Sequence, residues 1–291
     1  MTLLDALQSS LPLLYSVCFI LGLFVGSFLN VVVYRLPLMM EAGWRRECHE
    51  FLELEQTTSG GTQPFNLMVP RSACPQCKSL ISAWQNIPVI SWLLLRGKCA
   101  NCKNPISAQY PLVELLTGIL SLVVAIKFGA SLQTCFALVF TWSLITLALI
   151  DFHTTLLPDS ITLPLMWLGL MLSLSAVFID THQALIGAAA GYLILWCVFQ
   201  AFKLITGKEG MGFGDFKLLA ALGAWLGWAK LPLIILLSSL AGAVIGITMM
   251  VAFKHSREKP IPFGPYLAIA GWIALIWGDT LVRLYNAQMG L

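Results

Sequence analysis

Apolar stretches about 20 residues long recur along the chain, each long enough for a helix to cross a bilayer. They lie near residues 11–34, 109–128, 131–150, 160–179, 183–203, 215–230, 232–253 and 262–283. The sixth is the shortest and contains Gly223 and Gly227. One sizeable polar segment interrupts the pattern, residues 35–108 between the first two stretches. The pattern predicts an all-α polytopic membrane protein of about eight transmembrane helices, with a small insertion after the first. Its expected parts are a first helix within 1–34, the insertion at 35–108 and a seven-helix membrane domain at 109–291.

Composition agrees. The chain is 58% hydrophobic and 11% charged, whereas soluble domains carry about 25% charged residues. Residues 1–10 contain no Lys or Arg and include Asp5, so no cleavable signal is expected. The loops at 35–108, 151–159, 204–214 and 254–261 fall on one side of the membrane and hold nearly all the basic residues. Of the 17 Lys and Arg, only Lys127, Lys230 and Arg283 fall on the other. The positive-inside rule therefore makes the first side cytoplasmic and puts both termini outside. The formal net charge of +3 reflects this bias and gives no reason to expect a nucleic-acid partner.

The insertion has two parts. Residues 38–70 are acidic, with Glu41, Glu47, Glu50, Glu53 and Glu55. A short amphipathic helix over Trp44, Phe51 and Leu54 is expected there, then a loop at Thr57–Thr62, with no assigned chemistry. The second part holds Cys74-Pro75-Gln76-Cys77 and Cys99-Ala100-Asn101-Cys102, with 21 residues between the pairs. Two such knuckles supply the four sulfurs of a structural zinc site. Lys78, Lys98 and Lys103 flank the cysteines and favour thiolates. Disulfides or free thiols are the alternatives, and a cytoplasmic location argues against stable disulfides. Cys18, Cys48, Cys135 and Cys197 are scattered, and the three within apolar stretches are expected as small core residues.

Carboxylates at the lipid boundary are costly and are candidate functional groups. Asp151 ends one apolar stretch and Asp215 begins another, after Gly210-x-Gly212-x-Gly214. Two such acids can form a metal-free water-activating pair. Taken singly, each has a plainer reading, Asp151 as a juxtamembrane anchor and Asp215 as part of a capped helix start. A phosphate loop is disfavoured, since no Lys-Ser/Thr follows the glycines. Asp159 is expected to cap the next helix, and Lys217 to snorkel to the interface. Glu114 lies one turn into the second stretch, and a structural pair with Arg35 is a plain explanation of both. The four histidines show no ligand spacing.

Several motifs occur together, in order. They are Gly26-Ser27-Phe28-Leu29-Asn30 through Arg35-Leu36-Pro37, the two cysteine pairs with Asn86-Ile87-Pro88 and Arg96-Gly97-Lys98-Cys99, Tyr110-Pro111-Leu112-Val113-Glu114, Leu156-Leu157-Pro158-Asp159, Gly212-Phe213-Gly214-Asp215 and Pro262-Phe263-Gly264-Pro265-Tyr266. In this the chain resembles the prepilin leader peptidase/N-methyltransferase family of type IV pilus and type II secretion systems. Gly212-x-Gly214-Asp215 fits the GxGD motif shared with presenilin-class intramembrane aspartyl proteases.

The resemblance implies an inner-membrane enzyme whose partners are prepilins and pseudopilins. It implies cleavage after the leader's terminal Gly on the cytoplasmic face, and N-methylation of the new amine, usually that of Phe, by S-adenosylmethionine. Asp151 and Asp215 are then the catalytic pair, and Cys74, Cys77, Cys99 and Cys102 the zinc ligands of a methyltransferase-associated insertion. The methyl-donor site is expected among Asn30, Arg35, Arg96, Gly97 and Glu114, because no Rossmann glycine loop is present. From the dipoles of the helices that carry them, Asp215 is expected to be the ionised base and Asp151 the protonated partner. Two rival functions stay open. One is an ion-coupled transporter, although the acids lie at the rim rather than at the midplane. The other is a zinc-ribbon adaptor, although its acidic flank disfavours nucleic acid.

Overall fold

The computed structural model describes residues 8–53, 65–253 and 262–289. The loop expected at Thr57–Thr62, the whole 254–261 loop and the first seven residues, Asp5 included, lie outside the described residues. Among the described residues the chain is helical, without strands beyond two isolated bridges. It forms two compact units, Met1–Ala130 and Ser131–Leu291.

The first unit contains α1 (Leu11–Phe51), a 3₁₀ turn (Ala83–Asn86), α2 (Ile90–Leu94) and α3 (Gln109–Phe128). α1 and α3 pack together. Gly22 and Gly26 allow the approach, since a Cβ on Gly22 would stand 2.8 Å from the Gly118 backbone and one on Gly26 2.7 Å from that of Glu114. The expected separate amphipathic helix over Trp44 does not form. α1 instead continues without a break for 41 residues, about 60 Å at helical rise. Pro37 lies inside it and costs one backbone hydrogen bond. Good helix formers follow, and the Arg45–Glu41 pair at 2.8 Å supports the extension.

The second unit contains α4 (Leu132–Thr154), α5 (Asp159–Ser173), α6 (Thr181–Thr206), α7 (Phe213–Leu226), a 3₁₀ turn (Trp228–Lys230), α8 (Leu231–Phe253) and α9 (Gly264–Met289). The eight expected spans therefore correspond to α1 and α3 to α9. Six of them are long and apolar enough to cross a membrane, and the protein is a multi-pass membrane protein. α5 and α7 are shorter, with 15 and 14 residues.

The shortness of α7 follows from its place. Every residue from Asp215 to Leu226 except Lys217 is buried, and α5, α6, α8 and α9 all pack on it. A helix apolar on all sides belongs in the middle of a bundle. Trp225 fixes its depth by donating Nε1–H to the Leu165 carbonyl at 2.7 Å. Cys135 and Cys197 turn outward rather than into the core, and only Cys18 of the scattered cysteines is buried.

Candidate active site and metal centre

Asp151 lies in the last turn of α4, where Thr155 in left-handed conformation ends the helix and returns its N–H to the Asp151 carbonyl at 2.8 Å. The Asp151 side chain is buried. Its Oδ2 accepts the backbone N–H of Gly264 at 2.9 Å, the first residue of α9. The carboxylate thus fills the N-terminus of a helix 113 residues further along the chain. A side chain at 264 would not fit, because a Cβ would stand 2.6 Å from Oδ2.

Asp215 lies in the first turn of α7 and is buried. Its Oδ1 has no hydrogen-bond partner, while Oδ2 lies back over Gly212, 4.0 Å from where a Cβ would stand. Leu157 packs against the glycine next to each acid, Gly214 before Asp215 and Gly264 on Asp151. A Cβ on Gly214 would meet its Cβ at 2.7 Å, and one on Gly264 its Cδ1 at 3.2 Å. Asp151 and Asp215 are close enough to interact electrostatically. Both therefore sit against helix N-termini, Asp215 in its own helix and Asp151 against α9. The dipole ground for giving the proton to Asp151 considered only its own helix and does not hold. Each acid has a backbone hydrogen bond, Asp151 from Gly264 and Asp215 from Gly212; what distinguishes them is the buried Asp215 Oδ1, which has no partner.

In the first unit, Cys74, Cys77, Cys99 and Cys102 bring their four sulfurs within 4.8 Å of one another, with Cys74 and Cys102 at 3.8 Å. Tetrahedral zinc with Zn–S near 2.3 Å requires sulfurs about 3.8 Å apart, so the cluster can hold a metal ion. The knuckles are built alike. Lys78 and Lys103 donate N–H to the carbonyls of Cys74 and Cys99, at 2.9 and 3.1 Å. Cys74 and Cys99 donate to Ser79 and Asn104, and Ile81 and Ile106 to Ser72 and Gly97. Both lysines take a positive φ to close the turn. The hydrogen bonds of Ser79, not a flanking lysine, pull the Cys77 thiol down to about 6; the Lys103 ammonium instead donates to the Ala100 carbonyl at 3.1 Å.

The remaining candidates cluster where the insertion meets α1 and α3. The Asn30 amide donates to the Gly26 and Tyr110 carbonyls, at 3.2 Å each. Arg35 does not pair with Glu114. Its guanidinium donates to the carbonyls of Asn66, at 2.9 Å, and Pro70, at 2.7 Å, and so ties that loop to α1. Glu114 accepts the Val89 N–H at 2.7 Å, with the Ser27 side chain also bonded to it. Gly97, at φ +66, packs on Trp92, 2.9 Å from where its Cβ would be. Arg96 is exposed beside it, and its side chain makes no hydrogen bond or ion pair among the described residues.

Residues 20–128 match the family described as the bacterial peptidase A24 N-terminal domain, and residues 138–247 match the type IV leader peptidase family. Proteins named prepilin leader peptidase/N-methyltransferase align over nearly the whole chain. Those of Aeromonas hydrophila and Pseudomonas aeruginosa are each 55% identical across 98% of both chains. That of Neisseria gonorrhoeae is 52% identical across 92% of both. No solved structure matches. The chain belongs to the prepilin leader peptidase/N-methyltransferase family.

Three features of this family member were not legible beforehand. The Gly264 contact is signalled only by the Pro262–Tyr266 motif, whose meaning needs the fold. Asp159 does not cap α5. Pro158 takes the N-cap position, and the Asp159 carboxylate instead pairs with Lys217, at 2.7 and 2.8 Å. Lys217 accordingly ties α7 to α5 rather than snorkelling, an arrangement that needed the two helices side by side. Leu157 is an ordinary leucine in the sequence and meets both Gly214 and Gly264 only through packing.

Proposed function

We propose that this chain cleaves the leader from prepilins and pseudopilins with Asp151 and Asp215, and then N-methylates the new N-terminus at a separate site in the first unit. The observation that carries the peptidase assignment is the buried Asp215 Oδ1 without a partner, set beside a second carboxylate whose Oδ2 is held by Gly264. An acceptor kept free in a buried site is placed to take a proton from water. In the proposed cleavage, Asp215 removes that proton as the water oxygen adds to the scissile carbonyl. Protonated Asp151, oriented by the Gly264 N–H on Oδ2, donates a hydrogen bond from Oδ1 to the carbonyl oxygen and so polarises it. The C–N bond then breaks as Asp215 passes the proton it took from water to the leaving nitrogen, which becomes the free amine. The pair shares its protons as a unit. Gly212 and Gly214 leave room for an extended substrate backbone over Asp215.

Zinc is the metal that four sulfurs at this spacing fit, and Cys74, Cys77, Cys99 and Cys102 would hold it. It would cross-link a segment too small to build its own core. S-adenosylmethionine supplies an electrophilic methyl group, and its site is proposed where the insertion meets α1 and α3. Asn30, Arg35 and Glu114 hold the backbone of that junction, Gly97 keeps Trp92 close, and the unengaged Arg96 offers a cation for the donor's carboxylate. The chain is read as lying in the bacterial inner membrane with both termini periplasmic and both reactions on the cytoplasmic side; the concentration of Lys and Arg in one set of loops supports that orientation.

The test is to incubate purified protein with a prepilin and S-adenosylmethionine and read the product's N-terminus by mass spectrometry. A mature chain beginning after the leader Gly and heavier by one methyl group is expected. Solute flux in proteoliposomes without cleavage would instead favour the transporter reading.

A further inference from the structure

The insertion carries large apolar side chains that are exposed among the described residues. On α2, Ile90, Leu93 and Leu94 are exposed, Leu94 to 72%, while Ser91 is buried. Residues at i, i+3 and i+4 share a helix face. α2 therefore turns its apolar side outward and a serine inward, the reverse of a helix on a water-soluble domain. Ile87, just before it, is exposed as well.

The depth of this segment is fixed by α3. That helix has 20 residues, about 30 Å, which matches the hydrocarbon thickness of a bilayer. Glu114 is five residues into it, about 7.5 Å beyond its start. Because Glu114 accepts the Val89 N–H, the residue preceding α2 is held at that depth and not out in water. Val89 takes a positive φ, which turns the chain there. Trp92 anchors the inner side by donating Nε1–H to the Ile106 carbonyl at 3.2 Å. Around Glu114, α3 itself exposes Leu112, Leu115 and Leu116, as a lipid-facing helix does.

We propose that residues 87–94 dip into the bilayer boundary beside α3, with Ile87, Ile90, Leu93 and Leu94 among the acyl chains, so that the cysteine knuckles stand on the membrane surface. The occupant of this apolar face is lipid. The face continues the lipid-facing side of α3 at the same level, and the Val89–Glu114 bond leaves it no other phase to meet. Lys98, exposed four residues after Leu94, emerges where headgroup phosphates lie. The insertion is then a partly embedded device whose orientation to the bilayer plane is set, and not a water-borne module on two tethers. This stands independently of either enzymatic reaction.

The test uses the full chain in phosphatidylethanolamine/phosphatidylglycerol vesicles, with a diazirine-bearing amino acid placed singly at Leu93, Leu94, Ile119 on the exposed side of α3, and Gln76 on the exposed knuckle. Metal content checks that each protein is folded. After irradiation, the proteins labelled at 93, 94 and 119 should gain the mass of a phospholipid, and the one labelled at 76 the mass of water. Water addition at 93 and 94 with lipid addition at 119 overturns the proposal. So does cross-linking of 93 or 94 to an added prepilin in place of lipid. As a second measurement, Leu93→Glu combined with Leu94→Glu should raise amide exchange across residues 87–97 in vesicles. Unchanged exchange in a folded, metal-bearing variant also counts against lipid burial.

Discussion

The cysteine cluster and the aspartate pair are built in opposite ways. Each knuckle is local: one set of turn hydrogen bonds, one positive-φ lysine and one isolated bridge, repeated 25 residues later as Ala73–Leu80 becomes Lys98–Pro105. Only the meeting of two equal knuckles is non-local. The aspartate site has no local unit. Asp151 is completed by an N–H 113 residues away, and Asp215 is carried by a central helix on which α5, α6, α8 and α9 pack. The comparison teaches what each site tolerates. A local site fails by losing a ligand, whereas an assembled one also fails by small displacements of residues that do no chemistry.

The largest expected effect breaks the assembled site outright. Asp151→Asn and Asp215→Asn should each cost cleavage more than about 100-fold, the usual contribution of a positioned acid or base, with fold and metal retained. Leader release followed by gel shift checks this, and near-normal cleavage by either variant removes the aspartyl mechanism. The Asp151 variant should still methylate a pre-cut pilin if the two sites are separate.

Breaking the local site comes next. Cys99→Ser should release the metal and loosen residues 71–106, because structural zinc contributes about 10–16 kcal/mol to such segments. Elemental analysis of purified protein should fall from one zinc per chain to none, while cleavage falls far less than methylation.

Two glycines sharpen the comparison. Gly264→Ala places a Cβ 2.6 Å from Asp151 Oδ2. A misplacement of about 1 Å costs up to about 100-fold in rate, so kcat for cleavage should drop substantially without loss of metal. Gly97→Val should do the reverse, since it forces a β-branched residue into φ +66 against Trp92. Methyl incorporation should drop and leader release should not; equal loss of both would merge the two sites.

The smallest effect is expected at Asp159. Its pair with Lys217 is partly exposed, and such pairs contribute no more than about 1 kcal/mol. Asp159→Asn should leave cleavage within about threefold and lower thermal stability slightly, measured by activity after heating. A loss as deep as that of Asp215→Asn would give the pair a direct part in the reaction.

The sequence by itself determined the parts that depend on one-dimensional signals. Apolar runs near 20 residues marked the helices, and the doubled C-x2-C spacing identified the sulfur cluster, because two-residue knuckles close through neighbouring backbone alone. The two acids were visible because lipid makes carboxylates conspicuous. Tertiary structure decided what depends on residues far apart meeting. It made the weakest apolar stretch the central helix, carried α1 straight through Pro37, and gave Arg35 to the 66–70 loop and Glu114 to Val89 in place of a pair with each other. It also gave Asp151 the N-terminus of α9, whose dipole opposes that of the C-terminal end of its own helix. A helix dipole acts on whatever packs against its end, and a linear sequence does not say which side chain that will be.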